Sequence, residues 1–131
     1  MSPKLYVAFY RPRYGNYEHW ALQLKSDGLS IIFEVIGQHP QFERDILYVK
    51  PESSKSFAGK TYVGTISDSD IQMVKEAAES VAVDNETVEW DCQDYVLELL
   101  EQLQEDHVLE EDDEDYQEAM KELKSRRGAI L

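Results

Sequence analysis

Short hydrophobic runs and alternating hydrophobic positions fill the first half of the chain. Five segments are rich in Val, Ile, Leu, Tyr or Phe and are bounded by Pro, Gly, Asn, Ser or Asp: residues 4–10, 18–24, 29–36, 45–50 and 61–65. β-branched and aromatic residues favour strands, and the bounding residues favour turns. The pattern predicts five β-strands, and the Asp27-Gly28 pair predicts that the second and third form a hairpin.

The second half carries hydrophobic residues at spacings of three and four, which is typical of helices. Three such sets are present: Ile71, Val74, Ala78 and Val81; Tyr95, Val96, Leu99, Leu100 and Leu103; Tyr116, Met120 and Leu123. N-cap candidates precede the first two sets. The third helix should span about 113–126, and its acidic start and basic end match the helix dipole. Strands within 4–66 followed by helices within 67–126 predict one α+β domain, 1–131, whose antiparallel sheet packs against the helices.

The net charge of −14 is concentrated in the helical half. Residues 1–66 hold 8 basic and 6 acidic residues, whereas residues 67–118 hold 1 basic and 20 acidic residues. A chain this acidic repels phosphate backbones and anionic lipid surfaces, so we expect neither nucleic-acid nor membrane binding. The chain has no apolar run near the roughly 20 residues of a membrane span, no complete signal peptide and one cysteine. We therefore expect a cytoplasmic protein with a reduced thiol and no cofactor.

Cys92 and His19 are the residues that suggest chemistry. Cys92 stands where the second helix should begin, and His19 lies near the start of a strand. A helix N-terminus favours the thiolate, and an imidazole within reach takes the thiol proton. Asp91 and Asp94 flank the thiol and oppose ionisation, so the sequence leaves the balance open. No metal site is predicted, because the histidines and the cysteine lack the spacing of a zinc finger. These residues are His19, His39, Cys92 and His107.

A third polar group commonly orients the histidine of such a pair. If Leu24 pairs with Leu29 across the hairpin turn, His19 faces Glu34 on the neighbouring strand. His39, just beyond that strand, is the second candidate, and Gln23 is a weaker one.

The segments HWAL, IIFEVIGQ and DCQDYVLELLEQL resemble the permuted papain-like group, in which His precedes Cys. That group includes NlpC-type peptidases, the lecithin–retinol acyltransferase family and PPPDE-type isopeptidases. The pattern is most similar to a family of small uncharacterised fungal proteins. The resemblance implies a papain-like fold, with Cys92 as nucleophile, His19 as base and a third residue near Glu34 or His39.

The sequence is compatible with three functions. The first is a cysteine hydrolase or acyltransferase acting on an amide, isopeptide or ester of a peptide, protein or small molecule. The second is a non-catalytic scaffold on the same fold, whose acidic surface binds a basic partner. The third is a small-molecule biosynthetic enzyme that uses His19 without acylating Cys92. The candidate substrate-binding residues are Tyr17, Trp20, Gln23, Trp90 and Gln93, and Tyr14 is a further candidate for the same groove, whereas core packing is an equal or better prediction for the two tryptophans. The acidic charge favours cationic or neutral substrates.

Overall fold

The computed structural model describes residues 2–130, which form a five-stranded antiparallel sheet and three α-helices. The α+β class is therefore confirmed. Two short 3-10 turns, Pro51–Ser53 and Asp68–Asp70, precede the fifth strand and the first helix. The strands are β1 Lys4–Tyr10, β2 His19–Ser26, β3 Leu29–Ile36, β4 Glu43–Leu47 and β5 Phe57–Thr65, and the helices are α1 Ile71–Ser80, α2 Cys92–Glu105 and α3 Glu114–Arg126.

The helices cover one face of the sheet, where α2 packs on β2 and β3 and α3 packs on β5. The periodic residues of the three helices are buried there, apart from the half-buried Ile71, and meet alternate residues of the strands. Strand alternation places Leu5, Val7, Phe9, Trp20 and Leu22 on this face. None of the helices in residues 2–130 is long and apolar enough to cross a membrane.

The opposite face of the sheet is covered by the segment 48–56. The strand order is β4-β3-β2-β1-β5, so β4 and β5 form opposite edges and their connection has to cross a face. The Ser30 hydroxyl donates to the Val49 carbonyl at 2.8 Å, and the Arg11 amide donates to the Ser56 carbonyl at 2.9 Å. Ala8, Tyr10, Ala21 and Ile32 form a small buried cluster on this face.

Three strands differ in their bounds from the sequence prediction. β2 continues through Ser26 because Asp27 and Gly28 alone make the turn, with Gly28 at a φ of +68°. β4 ends at Leu47 because residues 48–50 leave the sheet edge to begin the crossing. β5 begins at Phe57, within a predicted loop, because the full length of β1 is available as its partner. Pairing partners therefore outweigh local propensity in this sheet.

Candidate active site

A buried histidine–carboxylate pair lies at the start of β2. The Nε2 atom of His19 is 2.5 Å from Oε1 of Glu34, and the two residues are 5% and 3% exposed. A hydrogen bond to a carboxylate fixes the orientation of an imidazole, and burial removes the competition of water. This bond uses Nε2 and leaves Nδ1 as the ring nitrogen that is available for a proton transfer.

The hairpin register that predicted this contact is wrong, although the contact itself is present. Ser26, rather than Leu24, pairs with Leu29. The ladder is therefore displaced by two residues, and His19 meets Glu34 diagonally instead of directly. A displacement by two keeps each side chain on its own face, because side chains alternate along a strand.

A second carboxyl group extends the pair across β3. Asp45 on β4 is the register partner of Glu34, so the two carboxyl groups are neighbours on the same face of the sheet. Burial, reinforced by the neighbouring Glu34, raises the pKa of Asp45 above its ordinary value. The Tyr10 ring packs on the other side of His19, with the ring centroids 5.4 Å apart.

The thiol lies at the first residue of α2. Asp91 caps the helix and accepts from the Gln93 amide at 2.9 Å, while Asp94 accepts from the Asp91 amide at 2.9 Å. Together these two hydrogen bonds form a capping box. Cys92 is 3% exposed, and its thiol donates to the Glu18 carbonyl at 3.8 Å.

Electrostatics keep this thiol protonated. Burial raises the pKa of Cys92 to about 12, and the charge of Asp91 acts in the same direction. A hydrogen bond from the Trp20 backbone lowers the pKa by a smaller amount. Burial therefore outweighs the effect of the helix N-terminus on the pKa, and the resting thiol is neutral at pH 7.

His19 and Cys92 reach the same cavity from different sides of the sheet. Cys92 belongs to the hydrophobic core on the helix-covered face, whereas His19 packs with Tyr10 on the opposite face. A cavity of about 430 Å³ lies at the end of the sheet where β2 begins and β3 ends. Its walls include both residues, and the others are Arg13, Tyr14, Tyr17, Glu34, Ile36, Gly37, Gln41, Glu43, Asp45 and Leu47.

The remaining predicted site residues are mostly outside this lining. Tyr17 lines the cavity, and burial raises the pKa of its hydroxyl to about 12. Trp20 and Trp90 pack in the core, and the Trp90 indole donates to Glu98 at 2.6 Å. Gln23 lies further along the loop-covered face, where it donates to the Ser30 hydroxyl at 3.0 Å.

His39 and Gln93 also lie apart from the cavity. Glu34, and not His39, contacts His19, and the buried Nδ1 atom of His39 has no hydrogen-bond partner among residues 2–130. Gln93 is fully buried, donates to the Glu18 carbonyl at 2.9 Å and accepts from the Gly128 amide at 2.9 Å. Gln93 therefore fastens the backbone next to His19.

Three charged residues of the cavity were missed in the sequence. Arg13 falls in a predicted turn, Glu43 lies two residues before the predicted fourth strand, and Asp45 begins that strand, whose register was unknown. The spacing of Glu43 and Asp45 was the signal that could have found them, because residues two apart on a strand share a face. The β3–β4 register then places Asp45 beside Glu34.

A family model, described as a family of unknown function (DUF6540), matches residues 5–110. The chain belongs to this family. No curated protein and no solved structure matches the chain. The part matched by the DUF6540 model contains His19, Glu34 and Cys92, whereas α3 and the segment after it lie outside it.

The segment 126–130, outside the DUF6540 match, holds both flanks of the site together. Arg126 forms a two-pronged ion pair with Glu18, at 2.7 and 2.9 Å, and Arg127 pairs with Asp94. Ala129 bridges to Tyr17. The segment therefore contacts residues next to His19 on one side and next to Cys92 on the other.

Proposed function

We propose that this protein is a cysteine-dependent hydrolase or acyltransferase of the papain-like type, acting on an amide, isopeptide or ester. The observation that carries the proposal is the His19–Glu34 bond of 2.5 Å in the wall of a cavity that Cys92 also lines. The antiparallel sheet, the histidine at a strand start and the cysteine at a later helix start support the permuted papain-like arrangement.

Each residue has one role in the proposed reaction. His19 takes the Cys92 proton as the sulfur attacks the carbonyl carbon, and it then gives that proton to the leaving amine or alcohol. The leaving group departs as the acyl-Cys92 thioester forms. A water or acceptor nucleophile, deprotonated by His19, releases the acyl group and restores the thiol. Glu34 orients His19 and stabilises its protonated form.

The resting geometry requires two adjustments before that reaction. The thiol has to leave the Glu18 carbonyl and turn into the cavity, a rotation about the Cα–Cβ bond of Cys92. Its proton has to move during the attack, because burial raises the pKa of Cys92 to about 12. The Gln93 amide is already bonded to Asp91, so the Cys92 amide is the proposed oxyanion donor.

A second candidate is acid–base catalysis by His19 without an acyl-enzyme. The favouring observation is the neutral thiol, which is bound to a backbone carbonyl while the His19–Glu34 pair lines the cavity. Cys92 would then serve only as part of the cavity wall.

Acyl transfer from p-nitrophenyl acetate to the protein tests the proposal. We expect one acetyl group on Cys92 by intact-mass and peptide mass spectrometry, with release of p-nitrophenolate. Changing His19→Ala should slow this acylation by about 10²-fold or more, the usual contribution of a general base. Changing Cys92→Ala should abolish it.

The exposed His107, outside the cavity, provides the matched control. Its φ of 60° suits asparagine, so His107→Asn should fold normally and acylate at the wild-type rate. Ester hydrolysis that survives Cys92→Ala but disappears in His19→Ala would favour the second candidate. Acylation that is equally fast in wild type and His19→Ala would contradict both.

A further inference from the structure

The cavity that contains Cys92 and His19 carries an excess of negative charge. Three acidic side chains line it, Glu34, Glu43 and Asp45, against the single guanidinium of Arg13. Glu34 is engaged with His19. Among residues 2–130, the ion pairs involve neither Glu43 nor Asp45, whereas Glu18, Glu52 and Asp94 each have a basic partner.

This distribution is local and does not follow from the overall charge of the chain. The acidic excess lies in residues 67–118, whereas the three cavity carboxyls come from β3 and β4 in the nearly neutral first half. Asp45 is half-buried and Glu43 is exposed, so both are accessible to a ligand in the cavity, where nearby charges outweigh distant ones that salt screens.

Two tyrosines complete a wall that suits a cation. Tyr14 and Tyr17 line the cavity beside the thiol, and aromatic rings attract cations through their π-faces. Arg13 already uses this chemistry, because its guanidinium lies 5.2 Å from the centre of the Tyr10 ring. An amine brought by a ligand would find an aromatic surface and two carboxyl groups that have no ion-pair partner within residues 2–130.

We infer that this cavity binds a substrate with a cationic group, a primary amine or guanidinium, and that Glu43 and Asp45 on β4 recognise it. The inference rests on the proposed function only in taking the cavity as the substrate site. Arg13 is the opposing charge, which repels a second cation and sets the strength of the preference.

Charge-selective labelling of Cys92 tests this inference, because Cys92 is the single cysteine. The probes are two methanethiosulfonates of similar size, one with an aminoethyl group and one with a sulfonatoethyl group. In each, the thiolate sulfur attacks the reagent sulfur and methanesulfinate leaves. The measured quantity is the rate with the aminoethyl reagent divided by the rate with the sulfonatoethyl reagent. This ratio is then divided by the same ratio for free N-acetylcysteine.

We expect a corrected ratio of about tenfold or more in favour of the cationic reagent, since each nearby charge is worth about threefold even in a watery environment. Glu43→Gln and Asp45→Asn should each lower the ratio by about threefold, and Arg13→Gln should raise it by a similar factor. Glu111→Gln changes the net charge equally but lies outside the cavity, so it should leave the ratio unchanged.

A ratio that does not respond to Glu43→Gln and Asp45→Asn, or that falls equally in Glu111→Gln, would overturn the inference and leave the acylation proposal standing. If neither reagent labels Cys92, the proposed nucleophile fails. The inference is then tested by NMR titration of the protein with n-butylammonium and, separately, with butyrate. The inference is supported if butylammonium shifts the His19 and Tyr17 signals and the shifts disappear in Asp45→Asn. It is overturned if the two ions cause equal shifts or none.

Discussion

The state of the Cys92 thiol depends on a competition between burial and local charge. The helix terminus and the Trp20 amide favour the thiolate, whereas burial and Asp91 favour the thiol. Because Cys92 is only 3% exposed, burial prevails. A resting thiolate–imidazolium pair is therefore not expected in this protein.

The pH dependence of alkylation by iodoacetamide follows from this balance. The pKa of Cys92 is raised from 9.0 to about 12, so the thiolate fraction at pH 8 falls by about 10³-fold. The higher nucleophilicity of a more basic thiolate recovers part of that loss. We expect labelling at least about 30-fold slower than that of the urea-unfolded chain at pH 8.

The pH profile separates this cause from simple blockage of access. The rate in the folded protein should continue to rise about tenfold per pH unit above pH 9, where the rate of the unfolded chain levels off. Mass spectrometry of quenched samples gives both rates. A folded protein whose rate levels off near pH 7 would show that the thiol is ionised at rest and that our assignment of its state is wrong.

The His19–Glu34 contact shows what residue-level prediction can and cannot deliver. The hairpin and the facing of the two side chains were accessible, because alternation fixes the face of each residue. The register could not be predicted, because a two-residue and a four-residue turn both fit the sequence around Asp27 and Gly28. An even displacement left the contact intact, whereas an odd one would have separated the residues.

The start of α2 is the element on which the candidate site depends. Asp91 stabilises the helix as its N-cap and at the same time opposes ionisation of the adjacent thiol. The helix itself was predictable from its apolar periodicity and its cap. The burial of its first residue was not, because that depends on how closely the start of β2 approaches it.

Two substitutions of Asp91 separate its capping role from its charge. Asn caps as well as Asp, so Asp91→Asn should leave the free energy of unfolding nearly unchanged and raise the rate of Cys92 alkylation by about threefold or more. Asp91→Ala removes the cap and should cost about 1 kcal/mol. Urea denaturation and alkylation kinetics give the two quantities, and equal alkylation rates in wild type and Asp91→Asn would exclude the charge effect.

At the scale of the whole molecule, the order of elements brings distant parts of the chain to one place. β2 supplies His19, α2 supplies Cys92, and the segment 126–130 joins their flanks through Glu18, Gln93 and Asp94. The sequence predicted α3 and its basic end as a match to the helix dipole. The structure assigns Arg126 a different contact, with Glu18 and with the face of Phe9, 3.8 Å from the ring centre.

Loss of this contact should loosen the start of β2 rather than the whole sheet. The Arg126–Glu18 pair is partly exposed, so Arg126→Met should lower the free energy of unfolding by only about 1 kcal/mol. Hydrogen exchange at residues 16–19 should nevertheless accelerate by about fivefold, the factor that corresponds to 1 kcal/mol of local stability. Lys124→Met removes the same charge from the last turn of α3 and serves as the control, and Arg126→Lys should restore part of the protection. Faster exchange spread evenly over the sheet, or equal exchange in Lys124→Met, would mean that Arg126 contributes to general stability and does not position His19.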